Sequence, residues 1–261
     1  MSDAPITFAD INGIRTAQAI TGEGTPVLML HGWGVHLGLM WPLAERLAPH
    51  GYRVYLPDMP GFGQSAAPSC AWSVHDYAAF VTSYLDYHAL EKAHLIGHSF
   101  GGRLGLVLGA EHSERILKLV LANSAGVKSR TPFRSRLRQR AYKWLRSSLR
   151  TVGMRQIADT LNAWYVDRYG SPDYKAAVGV MRETFVKVVN EDLAPYAARV
   201  KPSTLLLWGD QDTETPLWQG QLLERTIPDA GLVVFEGAGH YCYLDDLPRA
   251  VRVIDYFFRH S

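Results

Sequence analysis

Gly97-His98-Ser99-Phe100-Gly101 sets one serine between two glycines, at the junction of two different hydrophobic patterns. Ahead of it, Ala93-His94-Leu95-Ile96 is short and apolar, as a buried strand is. Behind it, Gly102-Arg103-Leu104-Gly105-Leu106-Val107-Leu108-Gly109-Ala110 reads as a helix packed on a sheet. A strand that turns this abruptly into a helix thrusts the corner side chain clear of the backbone, with the helix N-terminus behind it. Glycines on both sides remove the Cβ atoms that would collide there. The spacing is that of the G-x-S-x-G nucleophile elbow.

A serine hydroxyl attacks only when a neighbouring base takes its proton. The base expected is a histidine oriented by a carboxylate, following the serine in the order acid, then histidine. Thr204-Leu205-Leu206-Leu207-Trp208 is an apolar strand running into Gly209-Asp210-Gln211-Asp212, and Leu232-Val233-Val234-Phe235 runs into Glu236-Gly237-Ala238-Gly239-His240. Each strand delivers a candidate acid or base into the loop at its carboxyl end, the edge where parallel α/β sheets bind ligands. Upstream, Val27-Leu28-Met29-Leu30 is followed at once by His31-Gly32-Trp33-Gly34. A glycine-rich loop there can aim a backbone N–H at the elbow, to share an oxyanion with the N–H of Phe100.

With these residues in view, the chain resembles the α/β-hydrolase superfamily. The matching segments are His31-Gly32-Trp33-Gly34, Asp58-Met59-Pro60-Gly61-Phe62-Gly63-Gln64-Ser65, Gly97-His98-Ser99-Phe100-Gly101-Gly102, Trp208-Gly209-Asp210-Gln211-Asp212 and Gly237-Ala238-Gly239-His240. They stand in the family's order across nearly the whole chain. The resemblance implies Ser99 as nucleophile, Asp212 as orienting acid and His240 as base, with Trp33 and Phe100 donating the oxyanion-hole N–H groups. It favours Asp212 over Asp210, because Asp212 stands three residues after Gly209. His31, Gly32 and His98 are expected to brace the loops beneath the site, and Asp58 to fix its own loop.

The composition sets the class. At 261 residues the chain suits one large α/β domain with room for a subdomain, and 47% hydrophobic content supports a sizeable core. A net charge of +2 is too balanced for nucleic acid as the principal partner. Met1-Ser2-Asp3-Ala4-Pro5 has neither a basic nor an apolar leader region, and no run reaches the ~18 apolar residues of a membrane span. The expectation is a soluble cytoplasmic protein without a stable membrane anchor. Cys70 and Cys242 are too few for a disulfide framework and are expected as reduced thiols. His36, His50, His75, His88, His94, His112 and His260 have no metal-like spacing, and no G-x-x-x-x-G-K or helix-opening G-x-G-x-x-G occurs. Neither a metal nor a cofactor is expected.

Residues 6 to 19 read as a hairpin turning at Asn12-Gly13. Strands near 27–30, 52–56, 93–97, 117–122, 204–208 and 231–235 alternate with helical stretches, which predicts a mainly parallel sheet with helices on both faces. Ser73 is the expected N-cap of a helix over Val74 to Leu85, and a last helix starts near Pro248. Between Ala125 and Pro202 the strand signal stops. The expected division is a hydrolase core of 1–124 and 203–261, and an inserted helical cap of 125–202 that shapes the substrate pocket.

Most of the cap's aromatics (Phe133, Tyr142, Trp144, Trp164, Tyr165, Tyr169, Tyr174, Phe185) are expected in its own packing, with a few turned to the pocket. Lys128 to Arg150 holds Lys128, Arg130, Arg134, Arg136, Arg138, Arg140, Lys143, Arg146 and Arg150 with no acid between them. Leu137, Ala141, Trp144, Leu145 and Leu149 can share one helical face opposite most of the arginines. That pattern fits a solvated outer face, an anionic lipid surface, an acidic partner or an acidic substrate.

The resemblance implies a cofactor-independent carboxylesterase acting on small to medium acyl esters. Two alternatives share the residues. One is carbon–carbon bond hydrolysis of dienoic ketoacids, against which His98 and the His31-Gly32-Trp33-Gly34 loop speak. The other is a small-molecule receptor that retains the triad. Serine at the elbow sets the chain apart from the dehalogenases and epoxide hydrolases of the fold, which carry aspartate there.

Overall fold

The computed structural model describes residues 4–128 and 133–260, without the side chains of 133–136 and 139. Arg130 and the side chains of Phe133, Arg134 and Arg136, named above, therefore lie outside the described residues. The chain opens with β1 (Ile6–Ile11) and β2 (Ile14–Thr21), joined through Asn12 at φ 52° and Gly13 at φ 81°. Positive φ at both central positions is what a two-residue I′ hairpin demands, and Asn-Gly supplies it. β3 (Thr25–Leu30), β4 (Tyr52–Pro57), β5 (Ala93–His98), β6 (Ile116–Ala122), β7 (Thr204–Gly209) and β8 (Ala230–Phe235) complete one sheet. The strand order is β1-β2-β4-β3-β5-β6-β7-β8. β2 pairs antiparallel with β1 and β4, and every later pairing is parallel.

Strand residues alternate between two cores. Leu28 and Leu30, Leu119 and Leu121, and Leu206 and Trp208 join one cluster with Tyr77 and Leu104. Those last two belong to α2 (Val74–Tyr87) and α3 (Phe100–Glu111). Val27 and Met29, Val120 and Ala122, and Leu205 and Leu207 join the other with Leu43 and Ile254. Leu43 lies in α1 (Trp41–Leu47), and Ile254 in the chain's last helix. Central strands buried on both faces read as continuous apolar runs, as these do. Each Leu or Val so buried contributes roughly 1.5–3 kcal/mol.

Between β6 and β7 the described residues form α4 (Phe133–Thr151), α5 (Arg155–Tyr169), α6 (Pro172–Ala176), α7 (Gly179–Asn190) and α8 (Ala194–Ala197), and no strand. α9 (Leu217–Thr226) links β7 to β8, and α10 (Cys242–Asp245) and α11 (Leu247–Arg259) follow. Ser73 and Asp76 cap α2 reciprocally, and Asp246 accepts the Arg249 N–H at the start of α11, where Pro248 occupies the first turn. Cys70 is exposed and Cys242 buried, both unpaired. No described helix is long and apolar enough to cross a membrane.

The topology locates the site. The chain passes from β3 to β4 on one side, then crosses to β5 on the other side of β3. The loops after β3 and β5 therefore diverge at the carboxyl edge and open a crevice between them.

Candidate active site

Ser99 leaves β5 with φ 49° and ψ −105°, outside the usual range for a residue with a side chain. Such a conformation costs about 1–3 kcal/mol and persists only where neighbours fix it. Here the Ser99 N–H donates to Ala122 O at 3.1 Å, and its carbonyl accepts from Gly102, Arg103 and Ala125. A Cβ on Gly97 would overlap the Gly101 carbonyl, and one on Gly101 would overlap the Leu30 carbonyl. The glycines flanking the serine are therefore obligatory for the corner.

β7 and β8 bring their loops together beside it. His240 Nδ1 lies 2.8 Å from Asp212 Oδ2, with the Asp212 side chain fully buried. Asp212 also accepts from Asn123 Nδ2 (2.6 Å), Thr215 Oγ1 (2.7 Å), and the N–H groups of Glu214 (2.8 Å) and Thr215 (2.9 Å). Burial pushes its carboxyl up, but the hydrogen bonds from His240 and Thr215 outweigh that and hold it down at about 2. It stays ionised and fixes the imidazole with the Nδ1 proton toward it. Asp210 does different work: its carboxylate accepts the Gly237 N–H at 2.8 Å, tying the two loops together away from the imidazole.

The histidines expected to brace the loops are neutral struts. His98 Nε2–H donates to the His240 carbonyl at 2.9 Å. Burial and then the neighbouring His240 push His98 down to about 3, so it carries no charge. His31 donates through Nδ1 to Gly32 O (2.7 Å) and accepts the Met59 N–H at Nε2 (2.9 Å), and burial lowers its pKa. Gly32 runs close under the corner, where a Cβ would stand 3.0 Å from His98 Nδ1 and 3.5 Å from Ser99 Cβ. Asp58 accepts from Leu37 N (2.6 Å) and Gln64 N (2.9 Å), fixing its loop.

Trp33 and Phe100 pack edge to face, with ring centroids 5.4 Å apart. With Ser99 they line a cavity of about 220 Å³ whose wall includes Arg103, Phe185 and Glu214. A second hollow of about 400 Å³ adjoins it across Trp33 and Asp173, toward Phe62 and Met181. The Phe100 N–H opens α3, where the first four amides lack intrahelical partners and the helix dipole is positive.

One arm of the constellation is open. Among the described residues nothing hydrogen-bonds the Ser99 hydroxyl, and His240 Nε2 instead faces Glu214 Oε2 at 3.4 Å. Catalytic hydrogen bonds commonly tighten only when substrate is bound. The Glu214 side chain is 65% exposed and therefore free to swing.

Sequence reasoning did not name Asn123, Thr215, Glu214, Arg103 or Asp173 for the site. Asn123 had a readable signal, since it directly follows the apolar run of β6 at the carboxyl edge. Of the described aromatics expected to lie in a cap, Phe185 alone walls these hollows. Tyr142 of α4 stacks on Tyr165 of α5 at 3.8 Å, and Trp144 and Trp164 are exposed. No group of three or more His, Cys, Asp or Glu among the described residues is arranged to hold a metal.

A family model described as the alpha/beta hydrolase fold matches residues 25–247. A 2-hydroxymuconate semialdehyde hydrolase of Pseudomonas putida is 29% identical, over 94% of this chain and 91% of its own. A pimeloyl-[acyl-carrier protein] methyl ester esterase of Chromobacterium violaceum is also 29% identical, over 89% and 94%. Among solved structures, an esterase from Exiguobacterium antarcticum superposes with TM-score 0.75 at 23% identity, covering 97% of this chain and 99% of its own. The eight-stranded order, the serine at the β5–α3 corner and a family match across most of the sequence agree: the chain belongs to the α/β-hydrolase-fold family.

Proposed function

We propose that the protein is a serine hydrolase that cleaves carboxylic esters of small to medium acyl groups through an acyl-enzyme, without a cofactor. The observation that carries this reading is the His240–Asp212 pair at 2.8 Å, beside a serine held at φ 49° in a cavity wall. Glu214 swings aside, and His240 Nε2 takes the Ser99 proton as Oγ attacks the ester carbonyl. The N–H groups of Phe100 and Trp33 receive the oxyanion. The C–O bond then breaks, and His240 returns its proton to the leaving alcohol. Water, deprotonated by His240, attacks the acyl-enzyme and releases the acid and free Ser99. Asp212 remains ionised throughout and holds the imidazole in the right tautomer. In this reading residues 125–202 act as a cap over a core of 1–124 and 203–261, and Phe185 limits acyl length.

A second reading is carbon–carbon hydrolysis of dienoic ketoacids. Arg103 favours it: a guanidinium 8% exposed in the cavity wall, with one hydrogen bond to Glu191 O at 3.1 Å, can meet a substrate carboxylate. The test is a fluorophosphonate label with peptide mapping, followed by turnover of p-nitrophenyl esters from acetate to laurate and of a dienoic ketoacid. Labelling at Ser99 with ester turnover is the expected result. Ketoacid turnover alone selects the second reading. No adduct on folded protein refutes both and leaves a receptor.

A further inference from the structure

We infer that the α4–α5 hairpin is a docking surface for an anionic lipid bilayer. α4 carries seven Lys or Arg and no acid, on a chain whose net charge is only +2, so the remainder of the protein is net negative. This helix is a concentrated cationic element, and within the described residues one of its cations pairs with an acid: Arg150 meets Asp159 of α5 at 2.8 Å.

Leu137, Trp144 and Leu145 of α4 are 59%, 72% and 42% exposed, and Val152, just beyond the helix, is 67% exposed. At about 100° per residue Leu137 and Trp144 share one face of the helix, with Leu145 at its edge toward α5. The face toward α5 is a different one, marked by Tyr142 stacked on Tyr165, Tyr142 Oη donating to Asn162, and Arg138 over the Tyr169 ring. α5 has the same division: Ile157 and Trp164, 56% and 57% exposed, lie about a quarter-turn or more from its packing residues Asn162, Tyr165 and Tyr169. In both helices the exposed ridge precedes the packing face by a similar angle. Because the helices are antiparallel, that places both ridges on the same side of the hairpin. The result is one exposed surface with a tryptophan on each helix, flanked by Arg140 and Arg168.

A cation-rich helix of low overall hydrophobicity, with Trp and Leu on one face, lies in the plane of a bilayer interface. Tryptophan settles at headgroup depth, and long arginine stems reach back to anionic headgroups. Exposed tryptophans on both helices, flanked by arginines, suit a yielding anionic surface better than a structured protein. Two residues beyond α5, Ser171 opens the segment that walls the Ser99 cavity.

The test is co-sedimentation of the full chain with vesicles of phosphatidylcholine and of equimolar phosphatidylcholine and phosphatidylglycerol. The variants are Trp144→Ala/Trp164→Ala and Arg140→Glu/Lys143→Glu, each checked for unchanged fold and turnover of a soluble short ester. Binding should require phosphatidylglycerol, weaken about tenfold or more at high salt, and fall about tenfold in both double variants. Equal binding to both vesicle types, or none, overturns the proposal. Loss in the charge variant alone, with polyglutamate competing fully, would mark a site for an acidic protein instead. A dimer in light scattering that Trp144→Ala/Trp164→Ala dissociates would assign the ridge to a second copy.

Discussion

Replacing Asn123 by alanine removes one of the donors that hold Asp212 ionised, without touching Ser99 or His240. The Nδ2–Oδ2 distance of 2.6 Å marks a charge-assisted bond. Such bonds contribute about 1.5–3 kcal/mol. Asp212 keeps four other donors, counting His240. The loss should therefore fall at the low end, near 1.5 kcal/mol, or about tenfold in kcat/KM. Asn123 also holds φ 44°, which alanine tolerates poorly and glycine tolerates well. Asn123→Ala should thus lose roughly 1 kcal/mol more stability than Asn123→Gly, while both lose the same activity. Steady-state kinetics on p-nitrophenyl acetate and urea denaturation separate the two effects. In an Asp212→Asn background the kinetic effect should vanish, because the bond's acceptor charge is gone. Full additivity of the two substitutions, or recovery of activity in Asn123→Gly, would refute the assignment of Asn123 as a donor to the acid.

Asp212→Asn should cut kcat by at least ~10³-fold and Asp210→Asn by little, since only Asp212 meets His240; equal losses on folded variants would overturn that choice. Phe185→Ala should shift ester preference toward longer acyl chains, each methylene being worth ~1–3 kcal/mol, while Trp164→Ala leaves the C2 to C12 ranking unchanged. Asp212 also carries a pH signature. Its folded pKa of about 2 lies below the unfolded carboxylate's ~3.9, so its stabilisation is complete above the unfolded value and lost as pH falls toward the folded one. Unfolding free energies from urea titrations between pH 6 and 2.5 should therefore fall further for the parent than for Asp212→Asn, by of order 2 kcal/mol.

What sequence made legible follows from how locally each requirement is written. A hairpin needs two positive φ angles in succession, and Asn12-Gly13 states that in two letters. The elbow needs empty space on both sides of a serine, and Gly97 and Gly101 state it in five. Asp212 and His240 were legible as candidates because each stands shortly beyond an apolar strand, and the family resemblance chose Asp212 over Asp210. Asn123 was signalled only by its place at the end of β6, and Thr215, a threonine in a loop, by nothing. Their role exists only where the ends of β6 and β7 converge. The aromatics between β6 and β7 show the same limit. Phe185 faces the cavity and Trp164 faces solvent because of how their helices are rolled, and tertiary contacts set that roll.

The scaffold also times its own chemistry. The serine corner lies on β5 in the middle of the sheet, whereas the imidazole follows β8 at the edge, and 142 residues separate His98 from the His240 carbonyl it holds. On the proposed mechanism, Ser99 emerges during synthesis long before its base. Domains generally assemble as units once their strands are available. Under that mechanism a nascent or stalled chain lacking β8 carries an inert hydroxyl, and hydrolytic competence arrives with the last strand to join the sheet.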